Sequence, residues 1–171
     1  YPNVMTSEGV TGLEQYKWTD ERTNPKQELI LPFIRMVAGP MDFTPGALTN
    51  ANKESWRWNL GQPMSEGTRC HQLAMFVVYE SPLQMLADSP TRYRKEKDCM
   101  KFLSAVPTVW DDTIALDAKV GDYIVVARRS GEEWFVGAMT DWNSRELKLD
   151  LSFLPQGAHM LESWSDGVNS D

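Results

Sequence analysis

Hydrophobic and polar positions divide the chain into two stretches of different period. In the first, apolar residues come in short runs between Gly- and Pro-rich breaks. Tyr1–Met5 reads as a short buried strand, and Gly9 and Gly12 break the loop that follows. The run Leu29-Ile30-Leu31-Pro32-Phe33-Ile34 contains a proline, which has no backbone donor, so a central antiparallel strand is disfavoured there. Ser65–Leu86 is the clearest predicted helix. Leu73, Phe76, Val77, Leu83 and Leu86 fall mostly on one helical face, and Ser65, Glu66 and Thr68 offer capping chemistry near the start. Pro82 is expected to kink that helix or divide it.

Past residue 100 the period becomes that of strands. Tyr123–Ala127 is a β-branched run, Arg128–Glu133 a turn centred on Ser130-Gly131, and Trp134–Met139 its partner, which together predict a hairpin. Leu147-Lys148-Leu149-Asp150-Leu151 alternates as a half-buried strand does, and Met160–Trp164 predicts another strand before the Ser165-Asp166-Gly167 turn. The pattern is α/β followed by all-β, with about four strands in the second part and a sheet edge to protect.

Composition narrows the classes. Among 171 residues, 42% are hydrophobic and 24% charged, as in a folded globular protein. No apolar run approaches the roughly 20 residues of a membrane span. The net charge of −7 argues against a nucleic-acid binder that tracks phosphates. Residues 1–97 hold 11 basic and 11 acidic side chains, whereas residues 98–171 hold 6 basic and 13 acidic, so the two stretches have different surfaces. Cys70 and Cys99 have no metal-ligand spacing; they read as one disulfide or two buried thiols.

Candidate chemistry concentrates in a few places. Glu8 and Glu14 lie six residues apart in a loop broken by two glycines. Two converging carboxylates can bind a hard cation or serve glycoside hydrolysis, and the same spacing also fits two solvated surface glutamates. Asp42, among apolar residues in Gly39–Gly46, is either a contact for a sugar hydroxyl or a turn cap. His71 lies near the start of the long predicted helix and is either a packed helix residue or a substrate contact. Trp56 and Trp58 are placed either to stack on a sugar or to cover apolar surface.

Specific motifs run in order along almost the whole chain. They include Tyr1-Pro2-Asn3-Val4-Met5-Thr6-Ser7-Glu8-Gly9-Val10-Thr11-Gly12-Leu13-Glu14, Arg35-Met36-Val37-Ala38-Gly39-Pro40-Met41-Asp42-Phe43-Thr44-Pro45-Gly46 and Gly67-Thr68-Arg69-Cys70-His71-Gln72-Leu73-Ala74. Further on come Glu80-Ser81-Pro82-Leu83-Gln84-Met85-Leu86, Val106-Pro107-Thr108-Val109-Trp110-Asp111 and Gly137-Ala138-Met139-Thr140-Asp141-Trp142. This series resembles glycoside hydrolase family 97. The resemblance implies an N-terminal β-sandwich, a (β/α)8 TIM barrel and a C-terminal β domain. Residues 1–97 would then be the C-terminal portion of the barrel, and residues 98–171 most of an antiparallel, sandwich-like domain.

The resemblance also implies exo-acting hydrolysis of α-glycosides with bound Ca²⁺. Glu14 takes the place of the general acid and Glu8 that of a calcium ligand, with Glu14 a second ligand in the α-glucosidase branch. Asp42 and His71 are carried as candidate substrate contacts. The base or nucleophile lies upstream of this chain. The segments Gly46–Ala51 and Pro63–Thr68 look closer to an inverting α-glucosidase acting on malto- or isomalto-oligosaccharides. A retaining α-galactosidase is the alternative. For this chain alone, a non-catalytic sugar-binding or structural fragment is another. The partners implied are an α-linked oligosaccharide and the remainder of the enzyme, in the periplasm or at the surface of a polysaccharide-degrading bacterium.

Overall fold

The computed structural model describes residues 2–18 and 24–168. Tyr1 of the expected first strand lies outside these residues, and Pro2–Met5 form no strand. A 3-10 turn at Leu13–Lys17 leads toward two single-turn helices, α1 (Pro25–Glu28) and α2 (Leu31–Ile34), each with proline in its first turn. The run around Pro32 is therefore helical, since a proline near a helix start gives up no intrahelical bond. Two short strands follow, β1 (Asn50–Ala51) and β2 (Ser65–Glu66), which pair in parallel.

Helix α3 (Arg69–Val78) sits at the centre. Thr68 caps it, its hydroxyl accepting the His71 N–H at 3.2 Å. His71 through Val78 are all buried, so this is an interior helix, not an amphipathic surface one. It ends where Tyr79 turns extended, before Pro82, which accordingly neither kinks nor divides it. Ser65 and Glu66 belong to β2 and do not cap the helix. Helices α4 (Pro90–Lys95) and α5 (Lys97–Ala105) complete the helical part.

The rest is one antiparallel sheet, in the order β3 (Asp112–Lys119), β4 (Tyr123–Ser130), β5 (Glu133–Thr140). The predicted hairpin is present, with Tyr123 opposite Thr140 and Ser130 opposite Glu133. Its two-residue loop turns on Gly131, whose φ of +59° suits the first position of such a loop. A bulge between Ala115 and Asp117 bends β3. Helix α3 packs against β5 at Gly137. A Cβ there would stand 2.8 Å from Val77 Cβ and 3.0 Å from the Ala74 carbonyl, so only glycine allows so close an approach.

Parallel pairing among the described residues consists of β1 with β2 and one bridge from Ser7 to Met41, and these few pairings do not by themselves show a (β/α)8 barrel. One expectation needs correction. The C-terminal part is a single three-stranded sheet backed by α3, not a pair of sheets. Leu147–Leu151 and Met160–Trp164 are not strands. They find no partner to pair with, and Leu151, Met160 and Leu161 stand 52, 98 and 89% exposed. One buried cluster extends from Leu13, Tyr16 and Met41 through Met75 and Val78 to Ile124, Val126 and Met139. Among the described residues no helix is long and apolar enough to cross a membrane.

Beyond β5, Arg145 binds the Asp141 carboxylate, and this bond above all holds the Asp141 carboxyl down to about 2. Because its folded value lies below the ordinary one near 4, Asp141 stabilises the fold above that value, and the contribution fades as pH falls toward 2. Arg145→Gln is expected to make urea-unfolding midpoints fall less between pH 5 and pH 2.5 than in the unaltered chain.

Candidate active site

The loop carrying Glu8 and Glu14 is fixed at both ends against residues 39–44. At the first end, the Ser7 N–H donates to the Pro40 carbonyl at 3.3 Å, and the Asp42 N–H donates to the Ser7 carbonyl at 3.0 Å. At the other, the Leu13 N–H donates to the Thr44 carbonyl at 3.4 Å. The Met41 N–H in turn donates to the Glu80 carbonyl at 3.1 Å. Ser7 and Met41 pair in parallel, so Glu8 and Asp42 follow side by side as the two segments end. Carboxyl ends of parallel strands are where α/β enzymes place ligands.

Glu14 is half-buried, and its Oε2 is fully buried with no hydrogen-bond partner among the described residues. The carboxylate folds back over Gly12. A Cβ on Gly12 would stand 2.2 Å from Oε2 and 2.9 Å from Oε1. Gly12 has φ −82°, open to any residue, so glycine is needed here for space and not for backbone freedom. Glu8 is exposed at its side chain, while its carbonyl accepts from Arg35 Nε at 2.9 Å.

An unpartnered buried carboxylate oxygen is a hard donor suited to calcium, so Glu14 fits as one ligand. Calcium takes six to eight oxygens, and no group of three His, Cys, Asp or Glu that could hold a metal exists among the described residues.

His71 lies elsewhere in the interior. Its Nε2 is 2.9 Å from Oε2 of Glu28, and both residues are buried. It lines a cavity of about 450 Å³ with Thr68, Met139, Asp141 and Trp142, and neither Glu8, Glu14 nor Asp42 lines that cavity. The structure thus places Glu8 and Asp42 each one residue beyond the Ser7–Met41 bridge, and gives His71 the Glu28 carboxylate as its partner. Trp56 is buried, donating its indole N–H to the Met64 carbonyl at 2.7 Å and meeting Tyr16 edge-on, while Trp58 is half exposed. Cys70 and Cys99 are free thiols. Burial, reinforced by Asp166, pushes the Cys70 thiol up to about 12, and burial raises that of Cys99.

Comparison with known proteins agrees with the sequence motifs. Residues 109–171 match the family model described as glycosyl-hydrolase 97 C-terminal, oligomerisation. The chain is 48% identical over 171 residues to a retaining alpha-galactosidase of Bacteroides thetaiotaomicron, covering 99% of this chain and 26% of that protein. A probable retaining alpha-galactosidase of Streptomyces bingchenggensis is 38% identical over 138 residues, covering 80% of this chain and 19% of that protein. A glycoside hydrolase family 97 enzyme from Pseudoalteromonas sp. strain K8, solved in complex with panose, superposes with a TM-score of 0.78 at 40% identity, covering 92% of this chain and 24% of that one. These likenesses place the chain among the glycoside hydrolases. It belongs to glycoside hydrolase family 97, and it spans between about a fifth and a quarter of the length of these relatives.

Sequence reasoning took Gly12 as a loop breaker and Arg35 as part of a motif, without the roles seen here, and did not single out Glu28. Gly12→Ala is expected to leave the melting temperature nearly unchanged while driving the Glu14 carboxylate off its present position, as a crystal structure of the variant would show. An undisplaced carboxylate there would contradict the steric role given to Gly12.

Proposed function

We propose that the protein containing this chain hydrolyses terminal α-glycosidic bonds, with Glu14 as general acid and α-galactosides as substrates. The observation that carries this reading is the Glu14 carboxylate, half-buried, with one oxygen unspent, on a loop fixed at both ends. A proton donor to a glycosidic oxygen must be held within reach of that oxygen and free of competing bonds. In the retaining reaction, a second carboxylate from outside this chain attacks the anomeric carbon and forms a glycosyl–enzyme bond. Glu14 gives its proton to the departing oxygen, then takes one from the water that breaks that bond. The 48% identity to a retaining alpha-galactosidase supports the galactoside reading.

An inverting α-glucosidase is the second reading. Panose is an oligosaccharide of α-linked glucose, and the Pseudoalteromonas relative was solved with it. In either reading Glu8 contributes an oxygen to a calcium ion, joined by Glu14 in the α-glucosidase reading; the ion would supply positive charge beside the sugar, and Asp42 contacts a hydroxyl. His71 stays the second candidate substrate contact in both readings, on the wall of its cavity and paired with Glu28. Export to the periplasm or cell surface belongs to the same reading and is checked by cell fractionation.

Glu14→Gln is expected to slow hydrolysis of an alkyl α-galactoside by about 10²–10⁴-fold while sparing an aryl galactoside whose leaving group needs no proton. Equal loss on both substrates would remove Glu14 from the acid role. Preferential turnover of the α-glucoside by the unaltered enzyme would favour the second reading. Chelator treatment is expected to abolish activity, and added calcium to restore it.

A further inference from the structure

Arg35, the residue that closes α2, reaches back 27 and 28 residues to the loop that carries the carboxylates. Its Nε donates to the Glu8 carbonyl at 2.9 Å and its Nη1 to the Gly39 carbonyl at 3.1 Å. Its Nη2 donates to the Ser7 carbonyl, to Ser7 Oγ at 3.0 Å and to the Pro40 carbonyl at 3.4 Å. The chain then turns tightly around the guanidinium. Gly9 has φ +105°, and a Cβ on it would stand 3.1 Å from Arg35 Nε.

Arginine presents five N–H donors in a rigid planar fork, a geometry that also suits bidentate pairing with a carboxylate. Here the bonds given by the described residues go to four carbonyls and one hydroxyl, on the two segments that meet at the Ser7–Met41 bridge. Ser7 and Glu8 are exposed, and Arg35 is not part of the buried core cluster. What the clamp fixes is therefore the start of the carboxylate loop, not the core.

We propose that Arg35 is a positioning residue for the reaction. It locks the Ser7–Glu8 stem to Gly39–Pro40 and so sets where the loop presents Glu14. This inference rests on the reading of Glu14 as general acid. A lysine would not replace it, because a single ammonium cannot span carbonyls on two segments in fixed geometry.

The test uses the whole enzyme, on whichever of the α-galactosides or α-glucosides it turns over. Two leaving groups are compared, a poor alkyl alcohol and an activated dinitrophenol, for Arg35→Ala, Arg35→Lys and Glu14→Gln. Arg35→Ala is expected to lower kcat about 10²-fold on the alkyl glycoside, the scale of a small misplacement of a catalytic group, and to change it little on the dinitrophenyl glycoside. KM should hold on both substrates, and Arg35→Lys should recover little of the loss. If Glu14→Gln is selective for the leaving group and Arg35→Ala is not, the Arg35 proposal is overturned and the acid reading stands. If Glu14→Gln is itself unselective, the acid reading falls and this inference with it. Should Arg35→Ala fail to fold, the same comparison is made with Arg35→Lys, where equal loss on both substrates overturns the proposal.

Discussion

Helix α3 is the element to which the other parts of this structure are tied. Buried residues fill it from His71 to Val78, and each face is claimed by a different neighbour. His71 binds Glu28 of α1, and Gln72 Oε1 accepts the Gly46 N–H at 3.0 Å. The Val78 carbonyl accepts from Arg128 of β4 at 3.2 Å, a side chain whose own proton affinity burial lowers. Ala74 and Val77 rest on Gly137 of β5. An interior helix this fully enclosed is stabilised mainly by packing, so a change in its position is felt in the helical part and in the sheet together.

That arrangement explains how a site can be held precisely on loops. The segment 39–44 lies between the carboxylate loop on one side and Glu80, just past α3, on the other. Its position is inherited from the core through Met41 and Phe43, both buried, and Phe43 meets Tyr79 edge-on at 5.0 Å. The Tyr79 hydroxyl donates to the Glu28 carbonyl at 2.8 Å. Packing, not the loop's own sequence, thus carries order from α3 to the neighbourhood of Glu8, Asp42 and Glu14. Removing Phe43 contacts would loosen the loop without touching a carboxylate.

Some of this was legible in the residues. The β4–β5 hairpin follows from a β-branched run and a glycine at the turn, both local signals. Helix α3 was legible by its period, but its limits were not, because Ser65–Glu66 pairs with β1 and the chain extends at Tyr79 well before Pro82. Strand β3 went unread because the alternation in Asp112–Lys119 is weak, with most of its side chains exposed, and a bulge interrupts it. Leu147–Leu151 misled for the opposite reason: alternation is clear there, yet a strand needs a partner edge. In the site, Glu8 and Glu14 stand in a motif and were visible. The roles of Gly12 and Arg35 were not, since one depends on a side chain folding back and the other on an approach across 28 residues.

The most direct measurement is proton NMR of the intact enzyme hydrolysing an aryl α-galactoside, read before mutarotation. The account predicts α-galactose as the first sugar released, the outcome of a nucleophilic carboxylate working opposite Glu14. β-Galactose appearing first, or no sugar released from the galactoside, would contradict it.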